Sequence, residues 1–394
     1  MTRSRLACAA LAAGWLLVAA ISVAARGQQP PSPSAADLAR AIDTLGSFDV
    51  TTRTESARLV RRTPADVASK ALTAAARGHK DEYVRYRALV LLAGLGDAAA
   101  ADVMRAALTD RNDRMRTVAA AWFEHHPDPS VLASLIAALG KEGSEFVRPA
   151  LTRAVAAHGT DPRAQATLTP LVMRGEDFFR GAVIEALGDY QGAFALASIA
   201  EVARLDGPLQ DDAITAIGRI GDPSRVGLLV ELQKSVPREL QPTVSASLCL
   251  LGRNCATHEP FIKDSLAFAS KTASFQPLLR GAVHALTMLA RRGKDDALGA
   301  LFDAGVPAAD PARESIALGV GLVALRSPDV LLRVLETRKD LDGAIVLLTE
   351  AFDMLAEDLE EERFYVTVRR AYWLAPEGSP RRRIAETLIQ KLEF

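Results

Sequence analysis

Tyr83-Val84-Arg85-Tyr86-Arg87-Ala88-Leu89-Val90-Leu91-Leu92-Ala93-Gly94-Leu95-Gly96-Asp97 is the stretch that decides the fold. It opens behind the acids Asp81 and Glu82, carries an arginine in its first turn, and runs on through alanine and leucine before stopping at glycine and aspartate. Acids at a helix start meet the positive end of the helix dipole, and a glycine just past the end accepts the left-handed backbone that closes it. The segment returns about every 32 residues, with its arginine at Arg85, Arg116, Arg148 and Arg180. Each arginine precedes a small-apolar run, as in Arg116-Thr117-Val118-Ala119-Ala120 and Arg180-Gly181-Ala182-Val183. The copy ending Gly221-Asp222-Pro223 keeps the run but has Asp212 where arginine is expected. Fainter copies follow over 242–252, 280–290, 313–325 and 342–355.

Shorter apolar segments lie between these copies, at 101–108, 131–139, 166–173, 196–205 and 226–232. Helix, turn, helix and a short Gly/Asp/Pro turn make a pair that cannot bury its apolar face alone, so neighbouring pairs must stack and share a continuous core. No run alternates with period two for long enough to indicate a sheet. The expected class is all-α, an α-solenoid.

Val84-Arg85, Met115-Arg116, Val147-Arg148 and Phe179-Arg180, with turns at Gly96-Asp97, Thr160-Asp161-Pro162 and Gly221-Asp222-Pro223, resemble the HEAT repeat. The likeness is to the HEAT-like repeats of the phycobilin-lyase type, clearest over 81–235. It implies a right-handed superhelix of about nine to ten helix pairs, with capping helices at both ends. It is nearly silent on function, because one fold hosts many unrelated tasks. Residues 36–80 read as the N-terminal cap and first pair, 236–356 as divergent repeats and 357–394 as the C-terminal cap.

Acids stand three or four residues before each arginine: Asp81 and Glu82, Asp113, Glu145, then Glu176 and Asp177. That spacing places them beside the arginine on a helix. Stacked repeats would line the pairs into a structural ladder of Arg85, Arg116, Arg148 and Arg180. An electropositive strip for an anionic ligand is the alternative reading, and the acidic neighbours argue against it.

Met1 to Arg5 is a short basic start, Leu6 to Ala25 an apolar run, and Val23-Ala24-Ala25 offers small residues for cleavage before Arg26. This is the composition of a signal peptide over 1–25. Uncleaved, residues 6–25 are long enough to anchor the chain in a membrane. A Pro/Ser-rich linker follows over 26–35. The expected location is therefore exported, periplasmic or secreted. The whole chain holds 47 basic and 48 acidic residues. That near-balance is no footprint for nucleic acid, which calls for a basic face.

Glu124-His125-His126-Pro127-Asp128 is the densest cluster of metal-ligand types. Adjacent helical histidines point about a hundred degrees apart, and no His-Glu-x-x-His occurs. Both histidines read as caps for a helix end before Pro127, with His158 matching one repeat later. No Gly-x-Ser-x-Gly elbow, phosphate loop or haem-attachment motif occurs, so no catalytic, cofactor or metal residue is assigned. Cys249 and Cys255 could form a disulfide across a helix end at Gly252. The Glu357 to Glu362 run reads as a solvated face, with an acidic docking site as the sharper alternative.

The expected function is that of a non-enzymatic exported scaffold for a protein or peptide partner. A structural subunit of an envelope complex and a small-ligand-handling, lyase-like protein are the alternatives. Tyr86, Arg87, Trp122, Arg153 and Phe179 form the candidate binding face on the inner helices, since aromatic and arginine side chains are common interface anchors. The plainer reading has Trp122 and Phe179 filling the inter-repeat core.

Overall fold

The computed structural model describes residues 33–96, 100–355, 358–392 and 394. The expected signal segment and nearly all of the linker lie outside them. Among the described residues there are helices and no strands. Two entry helices, α1 (Ala35–Thr44) and α2 (Val50–Arg62), precede nine successive pairs. The second member of each pair forms an inner layer: α4 (Glu82–Leu95), α6 (Asp113–His125), α8 (Val147–Ala156), α10 (Asp177–Asp189), α12 (Gln210–Ile220), α14 (Gln241–Leu250), α16 (Gln276–Arg291), α18 (Ala312–Arg326) and α20 (Leu341–Met354). Each inner helix packs on the next, from α4 through α20. The outer members, α3 (Ala65–Gly78), α5 (Ala100–Ala107), α7 (Leu132–Leu139), α9 (Pro162–Leu168), α11 (Leu196–Arg204), α13 (Val226–Leu232), α15 (Cys255–Ala269), α17 (Asp295–Gly305) and α19 (Pro328–Thr337), cover them. This is the all-α solenoid that the repeat implies.

Local chemistry sets the boundaries. Asp81, Asn112 and Asp161 cap the starts of α4, α6 and α9, each accepting a backbone N–H two residues on. Such caps satisfy amides that have no partner inside the helix. Gly221 ends α12 at φ +82°, a backbone that a Cβ would strain. The segment at 166–173 departs from expectation. The α-helix stops at Leu168 and a 3-10 turn runs from Thr169 to Val172, because Pro170 has no N–H to continue the ladder.

The arginine ladder exists, with different partners. Arg85 donates from Nε to the Ala76 carbonyl at the end of α3 and pairs with Asp110 of the next turn. Arg116 donates to the Asp110 carbonyl at 2.8 Å and holds Glu142 with Nε and Nη2 at 2.8 and 3.0 Å. Arg180 reaches the Val172 carbonyl at 3.1 Å and, alone of the four, an acid three residues back, Asp177 at 2.9 Å. The Arg148 guanidinium lies 3.5 Å above the Phe179 ring. At Arg85, Arg116 and Arg180 the ladder therefore clips the inner helix to a carbonyl at or just past the end of the outer helix before it, whereas Arg148 packs on Phe179 instead. Arginine is long enough to cross the gap, which frees Asp81 to cap its own helix. Where arginine drops out, Gln210 donates to the Ala203 carbonyl and Gln241 to the Gln233 carbonyl in the same way. Arg313 resumes the clip on the Gly305 and Val306 carbonyls.

The C-terminal pair does more than cap the stack. α21 (Asp358–Leu374) packs on α18 and also on α4 and α6, while α22 (Pro380–Lys391) backs it. Leu359 joins the core of the N-terminal repeats, and Phe364 and Val368 join the C-terminal core. The superhelix closes on itself through this helix. The expectation that the Glu357 to Glu362 run is solvated fails at Glu360 and Glu362, which are 5% and 2% exposed. Arg61 grips Glu362 with Nε at 3.0 Å and Nη2 at 2.6 Å. A side chain at Gly94 would overlap Glu362, so glycine is what lets α21 lie against α4.

Breaking a buried ion pair by removing one partner leaves an uncompensated charge and costs about 3–5 kcal/mol. Glu362→Gln is therefore expected to lower the melting temperature and to raise hydrogen exchange in α21 and α2 together, leaving α10 and α12 protected. A uniform rise across the chain would count against the seal.

Candidate functional site

A charged residue stands at or just past the C-terminal end of inner helix after inner helix. Glu124 and His125 end α6, Arg153 ends α8, Asp189 ends α10, and Arg219 ends α12. Arg291 ends α16 with Arg292 just beyond, and Arg326 ends α18. The closed superhelix turns these ends toward one another, and Arg363 of α21 completes the wall. They line a half-open cavity of about 320 Å³. Cations suit helix C-termini, where carbonyls point outward.

Three carboxylates organise the wall. Glu124 accepts from Arg153 Nε at 2.9 Å and from the Tyr190 hydroxyl at 2.9 Å. Asp189 accepts from Arg153, Arg219 and Arg291, each at 2.9 Å. Glu360 takes Arg363 Nη1 at 2.7 Å and lies 3.1 Å from Arg326 Nη1. Arg292 donates to the Arg219 carbonyl. Residues more than a hundred positions apart in sequence, Asp189 and Arg291, thus meet across the cavity.

The electrostatics follow from this crowding. Burial alone would push the Asp189 carboxyl up, but Arg219, Arg291 and Arg153 hold it well below the usual carboxylate range. Glu360 is likewise held far down, by the His125 hydrogen bond and then by Arg326, against the upward push of burial. Glu124 stays low because Arg153 and Arg326 outweigh its burial. Arg219 moves the opposite way, lowered by burial and by the neighbouring Arg291. Burial, then Glu124, raises the Tyr190 hydroxyl. Every carboxylate in this wall is locked as an acceptor, and none is poised to exchange a proton near neutral pH.

Glu124, His125 and Glu360 come close enough to share an ion. His125 Nε2 lies 2.7 Å from Glu360 and 2.6 Å from Arg363 Nη1. With its ring nitrogen protonated it donates to the carboxylate; without that proton it accepts from the guanidinium. Arg153 and Arg326 pair with Glu124, and Arg326 and Arg363 with Glu360, so the same carboxylates already carry guanidinium partners. His126 caps as expected, its Nδ1 3.0 Å from the Trp122 carbonyl, whereas His125 does not.

The candidate binding face is not a face. Tyr86, Trp122 and Phe179 are 6%, 6% and 4% exposed. Trp122 stacks on His126 at 4.2 Å, and Phe179 lies under Arg148. Burial lowers the Arg87 guanidinium, and Arg153 is tied into the cavity wall. α21 covers α4 and α6, on which Tyr86, Arg87 and Trp122 stand, whereas Phe179 and Arg153 are taken up by partners in neighbouring repeats. Cys249 and Cys255 are joined in a disulfide, their Cα atoms 4.3 Å apart.

One exposed feature keeps the repeat period. Two residues before each ladder arginine stand Tyr83, Arg114, Phe146 and Phe178. Phe146 and Phe178 are 72% and 66% exposed, and Arg114 lies 5.7 Å above the Tyr83 ring. These positions were readable in the alignment of copies. The cavity arginines were not, since only closure brings them together.

Residues 69–156 match the HEAT repeats family. No curated protein matches the sequence. Among solved structures, YibA of Escherichia coli is 17% identical with a TM-score of 0.41, covering 56% of this chain and 83% of its own. The complex of CpcE and CpcF of the phycocyanin lyase from Nostoc is 18% identical with a TM-score of 0.41, covering 65% and 94%. Importin beta is 15% identical with a TM-score of 0.40; this chain spans 61% of its length, with 90% of this chain covered.

Asp212, in the place of a ladder arginine, supplies a test of these electrostatics. Burial, then Asp211 and Glu185, push its carboxyl from 3.8 up to about 6. A raised folded pKa means its favourable contribution is complete below about pH 4 and lost as pH rises through about 6. Asp212→Asn is expected to stabilise the protein at pH 7.5 by roughly 1–3 kcal/mol and to be neutral near pH 4. Asp189 has the opposite sign: its contribution is present above the ordinary carboxylate pKa of about 4 and lost as pH falls below it. Asp189→Asn should therefore destabilise at neutral pH and flatten the acid limb, both read by thermal unfolding across pH.

Proposed function

We propose that the protein is a non-catalytic, exported scaffold that takes a protein partner along the edge marked by Tyr83, Arg114, Phe146 and Phe178. The observation that carries this reading is the exposure of large aromatic side chains in register with the repeat. Phe146 and Phe178 sit at the same place in successive repeats, where a soluble surface gains nothing from burying neither ring. Tyrosine and arginine continue the row, and aromatic and arginine side chains are the commonest anchors of protein interfaces. With α21 lying over α4 and α6, the row stands on a side that the closing helix leaves open to a partner.

Export is supported by the basic and then apolar N-terminal pattern. It is also supported by the Cys249–Cys255 disulfide, since such bonds persist in oxidising compartments. The non-catalytic part is supported by the cavity wall, whose carboxylates are all engaged by guanidiniums.

A photo-crosslinking residue at position 146 is expected to give one discrete adduct with an envelope protein, and Phe178→Asp to abolish it without changing the melting temperature. A diffuse smear, or an adduct indifferent to Phe178→Asp, would sink the reading. Thiol labelling of cells should find Cys249 and Cys255 blocked until reduction. Freely labelled thiols would place the chain in a reducing compartment.

A further inference from the structure

We propose that the arginine-lined cavity binds a small, multiply charged oxyanion of the phosphate or polycarboxylate kind. Six guanidiniums face it, Arg153, Arg219, Arg291, Arg292, Arg326 and Arg363. Arg326 has a further partner of its own, and among the described residues three buried carboxylates answer the other five: Glu124, Asp189 and Glu360. Among the described residues the excess of those five is two positive charges, or one if Glu185 is counted at 3.9 Å from Arg219. Six guanidiniums offer about thirty N–H donors and three carboxylates about twelve acceptor positions, so donors remain whatever the internal pairing.

This surplus is not what folding alone selects. Like charges in a partly buried space repel, and Arg219 and Arg291 are both held 2.9 Å from the one Asp189 carboxylate, where burial and then Arg291 lower the Arg219 guanidinium. The helix ends beneath the arginines offset part of it. Their effect is spread along the helix axes and puts no acceptor into the cavity. An anion at the centre would relieve the repulsion directly.

The wall is also built for such a ligand. Guanidinium presents a flat fork that matches the paired oxygens of carboxylate and phosphate. Arg153 is pinned between Glu124 and Asp189, while Arg219 and Arg291 are both pinned to Asp189. Their forks are thus set before the ligand arrives, which reduces the ordering cost of binding. A volume of about 320 Å³ lies at the small end of the range for small-molecule sites. Side-chain exposure rising from 8% at Arg219 through 17% at Arg291 to 40% at Arg363 gives the ligand a way in.

The test is calorimetric titration of the purified protein with pyrophosphate and, separately, with citrate, each against sodium chloride of equal ionic strength. Saturable binding at one site by either anion is expected, with a rise in melting temperature that chloride does not give. Pyrophosphate alone would assign phosphate chemistry, citrate alone polycarboxylate chemistry, and both a site that reads charge and oxygen spacing. Arg292→Gln should weaken binding about tenfold or more, the effect of one lost charge-assisted contact. Its ligand-free melting temperature should stay level or rise, which a purely structural arginine would not allow. Arg291→Gln tests affinity at a second side chain, with a fall in the ligand-free melting temperature expected because it also breaks the pair with Asp189. No binding beyond the chloride control, or binding indifferent to both substitutions, would overturn the proposal. Phe178→Asp should leave anion binding intact, so this site and the outer edge can fail independently.

Discussion

The ion pairs between α21 and the N-terminal repeats are the constraint on which the rest of the molecule depends. Arg61 meets Glu362 across 301 positions of sequence, and His125 meets Glu360 across 235. For a flexible chain, closing a loop of that length costs about 5 kcal/mol in entropy. Here the stacked pairs have already brought the ends together, so the cost is met by the curvature of the stack. The pairs then need only satisfy charges that the closing helix buries. Buried ion pairs of this kind stabilise little by themselves, because desolvation cancels much of the attraction. They are specific, however: with either partner absent, a charge is stranded, so α21 has one register in which it can dock.

Closure also changes what the inner layer can be. In an open solenoid the inner helices present a long groove and each repeat contacts only its neighbours. In this chain the C-terminal ends of six inner helices are drawn around one cavity, and Asp189 of α10 touches Arg291 of α16. A charged residue that would be solvated on an open superhelix becomes part of a shared network. That is why the charges here are numerous, mutually paired and strongly perturbed, although each sits on an unremarkable last turn of its helix.

Much of the fold was legible in the sequence, and the reason is the periodicity of local chemistry. Asp81, Asn112 and Asp161 start helices, Gly221 stops one, and Arg85, Arg116 and Arg180 fasten each inner helix to the preceding outer one. All of that is written within about forty residues of each position. The ladder's acid partners were misplaced because arginine reaches farther than one turn of its own helix. The candidate binding face failed for a different reason. Phe179 is buried by packing between repeats under Arg148, while Tyr86 and Trp122 stand on the two helices that α21 covers, and nothing near them in sequence announces a helix that arrives some 240–280 positions later. The Glu357 to Glu362 run was misread for the same reason. Its partners Arg61, His125 and Arg326 belong to other repeats.

Closure bears finally on how stability is shared. A linear repeat array can fray from either end, since its terminal pairs have one neighbour each. α21 gives the first repeats a second neighbour, and Leu359 sits in their core while Phe364 sits in the last one. Loosening α21 therefore weakens both ends at once and opens the cavity between them. The arginines of the cavity oppose that closure through their mutual repulsion, and Glu360 and Glu362 favour it. The state of the cavity and the integrity of the ends are thus two readings of one equilibrium. Because Arg363 of α21 stands in the wall beside Arg153, Arg219 and Arg291, an anion held among them would, by linkage, favour the docked position of α21.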